Sequence, residues 1–348
     1  MNGRRRLWLA SVLAVLLVIG VVLAVVLTRS GQTTAGPTPS SASATPSATP
    51  PATKKPSTPP PVPAAPAPPS IANLPAAPMN ILVIGSDSNG NAHQEAAQTA
   101  ATGVPFDQQS DTLMLIHVPA DRRMVYGISI MRDTWVNIPG YGAYKVNAGL
   151  GLGGIDLTTR TVESLFGIHI DHTVMLDMHG FKVLVDGLGG IDINVPQAFT
   201  STIETQHQFT AGMNHLDGQA ALEFVRERHA FADGDYTRVR DNQIFMRALL
   251  SKLSGAVRDP VSVLALVNFA ANDLTVDGGF DPVSVAILAY GMRTIDPAAS
   301  VFFTLPNLGT GTSADGQSIV IPDYGAFAAV GAAVRDDTLA QYVAAHGF

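Results

Sequence analysis

The side chains best suited to chemistry fall into two groups: Asp87, Asp111 and Arg132, and further along Arg226, Arg228, Asp235, Arg238 and Asn242. Two carboxylates and an arginine in one place would hold a divalent cation beside an anionic group. Mg²⁺ in particular takes one or two carboxylates and completes its shell with water and substrate phosphate oxygens. The guanidinium groups of the second set keep their charge at physiological pH and bind phosphate bidentately, which suits a pyrophosphate. Each group also has an ordinary explanation. Asp87 could cap a turn, Asp111 could begin a strand and Arg132 could pair with Asp133, while the arginines could form a solvated helix face with internal ion pairs. Spacing alone leaves both explanations open.

The elements that must position these residues alternate between extended and helical patterns. Asn80–Gly85, Thr112–Val118 and Arg123–Ile130 read as strands. Pro119-Ala120-Asp121-Arg122 is turn-like, so the second and third strands form an antiparallel hairpin. Asp111 and Arg132 are equally far from the centre of that turn and emerge at one edge of the sheet. Asp87 joins them if the first strand runs parallel to the third, and strand-end loops of open sheets are where chemistry usually sits. Helices are expected over Thr158–Phe166, Phe181–Leu188, Asp217 to about Val225, and Asp235 to about Leu253. Thr173–Asp177 and Ile191–Val195 are expected to be extended. In Arg226-Glu227-Arg228 an extended backbone would turn both arginines to one face. On the following helix Asp235, Arg238 and Asn242 share a face, while Val239, Met246, Leu250 and Leu253 form an apolar stripe. These elements make an α/β (α+β) domain, a mixed central β-sheet flanked by helices.

The remaining sequence sets that domain in context. Residues 1–6 carry Arg4, Arg5 and Arg6, and an apolar run from Leu7 to Leu27 is closed by Arg29. At ~1.5 Å per residue that run reaches roughly 31 Å, enough to cross a bilayer and longer than the apolar core of a cleaved signal peptide. The expectation is a transmembrane signal anchor over 7–28, with the arginines cytoplasmic and everything beyond outside the cell. Residues 29–78 are almost entirely Ala, Pro, Ser and Thr, a disordered stalk with nothing to bury. Residues 79–348 form the folded domain. The net charge of −7 argues against a nucleic-acid binder, and the absence of cysteine excludes a lipid-modified cysteine anchor.

Several motifs in order resemble one family. They are Asn80-Ile-Leu-Val-Ile-Gly-Ser-Asp-Ser88, Ser110-Asp-Thr-Leu-Met-Leu-Ile-His-Val118, Ile128-Ser-Ile-Met-Arg-Asp-Thr-Trp135, Lys145-Val-Asn147 and Leu184-Val-Asp-Gly-Leu-Gly-Gly-Ile-Asp192. Val225-Arg-Glu-Arg228 and Gly234-Asp-Tyr-Thr-Arg238 follow. Together they are similar to the LytR-CpsA-Psr family of cell-wall phosphotransferases, over most of Met79 to about Leu253. The resemblance implies a Mg²⁺-dependent (or Mn²⁺-dependent) transferase that moves a glycopolymer from a polyprenyl-pyrophosphate carrier to a peptidoglycan acceptor. It implies Asp87 and Asp111 as metal-binding carboxylates, Arg132, Arg226, Arg228 and Arg238 around the pyrophosphate with Asp235 near them, and an apolar groove for the prenyl chain. Three departures stand out. Gln109 occupies a position where the family often has arginine, Met131 replaces a usual proline, and Asp241-Asn242-Gln243 replaces Arg-Gln-Gln. Asp241 is expected to lower the local positive potential.

Other patterns carry less. His169, His172 and His179 with Asp171 and Asp177 match no familiar metal spacing. Gly85–Gly90 has phosphate-loop glycines but Asn91 in place of the lysine. Gly149–Gly154 reads as a glycine-rich loop, either a simple connection or one that flexes over a substrate, and Val261–Ala271 and Val283–Tyr290 as apolar helical stretches. A non-enzymatic binder of pyrophosphate lipid, needing the arginines but not both carboxylates, and a pyrophosphate hydrolase are the competing functions.

Overall fold

The structure, a computed structural model, describes residues 77–87, 109–257, 260–277 and 294–348. The N-terminal apolar run, the stalk up to residue 76 and the stretch 283–290 lie outside these residues. Among the described residues no helix is long and apolar enough to cross a membrane.

Strands rich in branched and apolar residues open the domain: β1 (Met79–Ser86), β2 (Ser110–Val118) and β3 (Tyr126–Ile130). β1 pairs antiparallel with β2, and β2 antiparallel with β3. The β2–β3 register runs from Leu113↔Ile130 to His117↔Tyr126, so residues equally distant from the turn face each other. A small hairpin follows, β4 (Trp135–Ile138) and β5 (Gly142–Lys145), and then helix α1 (Ala148–Phe166). The glycine-rich stretch expected to be a loop belongs to α1. The helix is kinked there, with Gly154 at φ +68°, a conformation that glycine alone adopts without strain. β6 (His172–Leu176) returns parallel to β1.

The middle of the chain forms a smaller cluster from α2 (Met178–Gly187), β7 (Ile191–Val195), β8 (Phe199–Thr200), β9 (Gln208–Phe209), β10 (Gly212–Leu216) and α3 (Gly218–Arg226). Asp177 and Asp217 cap α2 and α3 by accepting from the N–H groups of Gly180 and Ala220, at 2.7 and 2.8 Å. A buried carboxylate on α3, Glu223, then fastens the β8–β9 turn. Glu223 accepts from the Thr205 N–H at 2.8 Å, its hydroxyl at 2.6 Å and the His207 N–H at 3.1 Å. Burial alone would raise the Glu223 pKa, but these donors outweigh it and hold the carboxyl at about 2.

The long helix α4 (Asp235–Ala256) and α5 (Pro260–Asn272) lead to β11 (Thr275–Val276), β12 (Val301–Thr304), the hairpin β13 (Asn307–Thr312) and β14 (Ser318–Pro322), and helices α6 (Tyr324–Arg335) and α7 (Leu339–His346). β12 joins the sheet parallel to β3, giving the mixed order β11-β6-β1-β2-β3-β12. The C-terminal residues therefore complete the same sheet.

Alternation along the strands supplies both faces of this sheet. Leu82, Ile84, Leu113, Leu115 and Ile128 pack toward α1 and α6, where Phe166 and Phe327 meet edge to face at 4.9 Å. Ile81, Met114, Ile116 and Phe302 face the other way, against Met246 and Leu250 of the α4 stripe. Gln243 adds a polar fastening, donating to the Ser129 hydroxyl on β3 at 3.1 Å and to the Thr304 hydroxyl on β12 at 2.9 Å. The start of α4 is thereby held over one end of the sheet.

Candidate functional site

At that end the β1–β2 ladder slips by one residue. Gly85 pairs with Thr112 but Ser86 pairs with Ser110, which leaves Asp111 as a bulged residue without a partner on β1. Bulges re-aim side chains, and they collect beside active sites. Asp87 follows the last residue of β1 and is tied to the same edge. Its N–H donates to the Gln109 carbonyl at 3.2 Å, and its Oδ1 accepts from the Gln109 N–H at 3.0 Å.

The hairpin register sets Arg132 across from Asp111, and its Nη1 forms an ion pair with Asp111 Oδ1. Arg238, only 5% exposed, reaches the same oxygen from α4, its Nη1 at 3.6 Å, while its Nη2 lies 3.2 Å from Asp235 Oδ1. Two guanidinium groups thus converge on one carboxylate. Burial opposes the charge on Arg132, but Asp111, Asp133 and Asp235 together outweigh it and hold its pKa above the usual arginine value. Arg238 is in the opposite position. Burial and then the neighbouring Arg132 charge depress its pKa, and Asp235 and Asp111 only partly compensate. Among the described residues the Nε groups of both arginines lack a hydrogen-bond acceptor. Crowded cations with spare donors are what an incoming anion would satisfy.

Beside this cluster opens a cavity of about 460 Å³ lined by Arg132, Asp133, Lys145, Asn147, Arg228 and Asp235, among others. Lys145 and Asn147 carry no site role in the sequence reading beyond the motif they belong to. Lys145 closes β5 and places its Nζ 3.1 Å from Asp133 Oδ1. Asn147, 3% exposed, accepts from the Ser110 N–H at 3.4 Å and donates its own N–H to the Arg132 carbonyl at 3.2 Å. Its side-chain amide donates to Gln109 Oε1 at 3.1 Å. It therefore links the two strand ends that carry Asp111 and Arg132. Membership of the Lys145-Val-Asn147 motif is the sequence signal for both residues, and it assigns neither of them a role.

Two residues expected at the site are elsewhere. Arg226 is the last residue of α3, not part of an extended run, and its Nη1 lies 2.6 Å from Glu204 Oε1. Helical geometry at Arg226 followed by extended backbone at Glu227 separates it from Arg228, which does line the cavity. The Asn242 amide is spent on the carbonyls of Arg238, at 2.9 Å, and Val225, at 3.3 Å, and so joins α4 to α3. The histidines also disperse, His169 beside Glu163 at 2.9 Å, His172 beside Asp277 at 3.6 Å and His179 beside Asp273 at 3.9 Å.

Asp241 does not act as a full negative charge. It is 4% exposed, and burial raises its pKa to about 7, with Arg240 opposing and Asp233 adding to the rise. A carboxyl with a raised folded-state pKa contributes stability below its unfolded value near 4, and that contribution is lost as pH rises through about 7. Asp241→Asn is therefore expected to stabilise the protein by on the order of 2 kcal/mol at pH 8 and to change little at pH 4. Melting curves at the two pH values check this, and equal shifts at both would contradict it.

Asp87 and Asp111 are the residues that could hold a metal. Among the described residues no three His, Cys, Asp or Glu side chains gather as a ready-made centre. A pair of carboxylates without imidazole or thiolate suits a hard cation that draws its other ligands from water and substrate, as Mg²⁺ or Mn²⁺ does, and does not suit zinc.

A sequence profile of the LytR_cpsA_psr family matches residues 48–320. The chain belongs to that family. Among its relatives in this family is the "Probable cell wall biosynthesis protein LcpB" of Corynebacterium glutamicum, 35% identical over 217 residues, 62% of this chain and 52% of the relative. Another is the "Polyisoprenyl-teichoic acid--peptidoglycan teichoic acid transferase TagU" of Bacillus mycoides, 31% identical over 210 residues, 59% of this chain and 63% of the relative. The matches span about half the length of LcpB and less than two thirds of TagU. Crystalline TagV of B. subtilis shares the fold, with a TM-score of 0.63 at 22% identity over 76% of this chain and 98% of that one.

Proposed function

We propose that this LytR_cpsA_psr protein is a Mg²⁺-dependent phosphotransferase that moves a glycopolymer from a polyprenyl-pyrophosphate carrier to peptidoglycan. The observation that carries the reading is the convergence of Arg132 and Arg238 on bulged Asp111, beside a cavity that Arg228 and Lys145 also line. The name of TagU, a polyisoprenyl-teichoic acid–peptidoglycan transferase, supports the substrate class. The full protein is a single-pass membrane protein in this reading. Residues 7–28 are the anchor, 29–78 the stalk, and 79–348 an extracellular catalytic domain that meets a lipid carrier at the membrane.

In the reaction an acceptor sugar hydroxyl attacks the phosphorus that bears the glycopolymer. A new P–O bond forms, the bridging P–O bond of the pyrophosphate breaks, and polyprenyl phosphate leaves. Arg132 and Arg238, with Arg228 at the cavity wall, neutralise the charge that develops on the leaving phosphate. They are fixed in place beforehand by Asp111 and Asp235, so little reorganisation accompanies the chemistry. The hydroxyl proton passes to one of the two carboxylates that line the cavity, Asp133 or Asp235. Asp87 and Asp111 would hold the metal, which supplies Lewis-acid neutralisation of phosphoryl oxygens.

The test is transfer in vitro by the purified protein, given a polyprenyl-pyrophosphate oligosaccharide, peptidoglycan fragments and Mg²⁺. Coupled product is expected, lost with EDTA and reduced at least about 100-fold in Asp87→Ala. Binding without coupling would support the scaffold, and released free polymer the hydrolase. Full activity in Asp87→Ala would refute the metal assignment.

A further inference from the structure

The turn after α3 decides which of two neighbouring arginines reaches the cavity. Arg226 is held away by Glu204, whereas Arg228 lines the wall. Between them Glu227 is 0% exposed, an unusual place for a carboxylate unless it is fully engaged. Its Oε1 accepts from three successive backbone N–H groups, those of Arg228 at 2.7 Å, His229 at 2.7 Å and Ala230 at 3.1 Å. Its other oxygen accepts from the Thr202 N–H at 2.5 Å, and the Thr202 hydroxyl donates to Oε1 at 3.0 Å. Successive N–H groups converging on one point form an anion-binding nest, filled here by the protein's own side chain. Burial opposes ionisation of Glu227, but these donors outweigh it and keep its pKa below the ordinary value.

We infer that Glu227 is a positioning residue: its carboxylate clasps the 228–230 backbone to the β8–β9 turn and so aims Arg228 into the cavity. The inference rests on the pyrophosphate reading of that cavity. The Arg228 backbone N–H is itself one of the clasped groups, and its Nε donates to His229 Nε2 at 3.2 Å, within the same clasped turn. A neutral amide at 227 has a single acceptor oxygen and cannot serve both the nest and the Thr202 N–H. The turn would then relax and carry the guanidinium with it, and small displacements of anion-binding groups are costly in rate and affinity. Glu223 offers a matched control. It is equally buried and holds the same β8–β9 turn, but its donors are Thr205, His207 and Gln219, not the 228–230 backbone.

The experiment measures farnesyl pyrophosphate and inorganic pyrophosphate binding by calorimetry to the full chain in detergent. Wild type is compared with Glu227→Gln, Arg228→Ala, the double variant and Glu223→Gln, with a melting curve for each. Glu227→Gln is expected to weaken binding about tenfold, close to Arg228→Ala, and the double variant to be no weaker than Arg228→Ala alone. Glu223→Gln is expected to melt earlier while binding within about twofold of wild type. Thr202→Val, which removes only the hydroxyl, covers the case in which Glu227→Gln fails to fold. A loss of about twofold to threefold, absent in the Arg228→Ala background, is expected there. Binding within twofold of wild type in Glu227→Gln, or a double variant weaker than Arg228→Ala by the full Glu227→Gln factor, overturns the inference. A wild type that binds neither probe, or an Arg228→Ala variant that binds as wild type does, overturns the pyrophosphate reading instead and this inference with it.

Discussion

Arg132→Ala is expected to reduce transfer by about 10²–10³-fold, a loss of about 2.7–4 kcal/mol of transition-state stabilisation. Arg132 faces the cavity and is in direct ion contact with Asp111, with its Nε 3.8 Å from Asp133 Oδ2. The three neighbouring carboxylates support its charge, so no energy is spent keeping it ionised when an anion arrives. Arg132→Lys is expected to recover only a small fraction of the loss, because an ammonium offers a point charge and not a planar fork. Truncation should leave the fold intact, since Arg238 still sits 3.6 Å from Asp111 and the Asn147 bond uses the Arg132 carbonyl, not its side chain. The rate of coupled-product formation, with a melting curve alongside, is the measurement. A variant that keeps activity within about threefold would move the pyrophosphate away from this cluster.

The largest expected effect on stability lies far from the site. Gly331 on α6 packs so closely on α1 that an added Cβ would stand 1.8 Å from the Phe166 carbonyl oxygen and 2.8 Å from its carbon. Both contacts are backbone, so no rotamer change can relieve them. The same end of α1 is pinned from both sides. Gly167 closes it in the left-handed conformation at φ +62°, and Arg335 Nη1 donates to the carbonyls of Phe166 at 3.2 Å and Gly167 at 2.7 Å. Gly331→Ala must therefore push α6 away from α1 over the buried face that holds Phe166 and Phe327, and is expected to cost at least about 3 kcal/mol. For a domain of this size that corresponds to a fall in Tm of roughly 6–12 °C. Trimming the Phe166 side chain should give no rescue, because the clash is with its carbonyl. Urea melts of the single and double variants decide the matter. A loss below about 1 kcal/mol would mean that α6 slides freely on α1.

Much of the sheet edge was legible from the chain alone. Two extended stretches about a turn define a hairpin, and antiparallel pairing is symmetric about its turn. Asp111 and Arg132 therefore face each other even though the connection, residues 119–125, is longer than the four residues expected and β3 starts at Tyr126 and not at Arg123. The cap at Asp217 and the mixed sheet flanked by helices follow from equally local patterns, whereas Asp177, expected to end a strand, caps a helix that begins at Met178, three residues earlier than expected. What local patterns do not report is the partner of a polar group. Arg226 and Arg228 look equivalent in the sequence, and only the packing of the β8–β9 turn, with Glu204 on one side and Glu227 on the other, sends one outward and the other to the cavity. Asn242 shares a helix face with Arg238, but the neighbouring end of α3 claims its amide. Asp241 reads as an added charge, yet burial leaves it about half neutral near pH 7. Lys145 and Asn147 reach the site because the β4–β5 hairpin folds back beside Asp133 and the start of β2. Side-chain period determines which face of an element is apolar. Which charges meet is determined by contacts between elements distant in the chain, where burial and pairing outweigh any local preference.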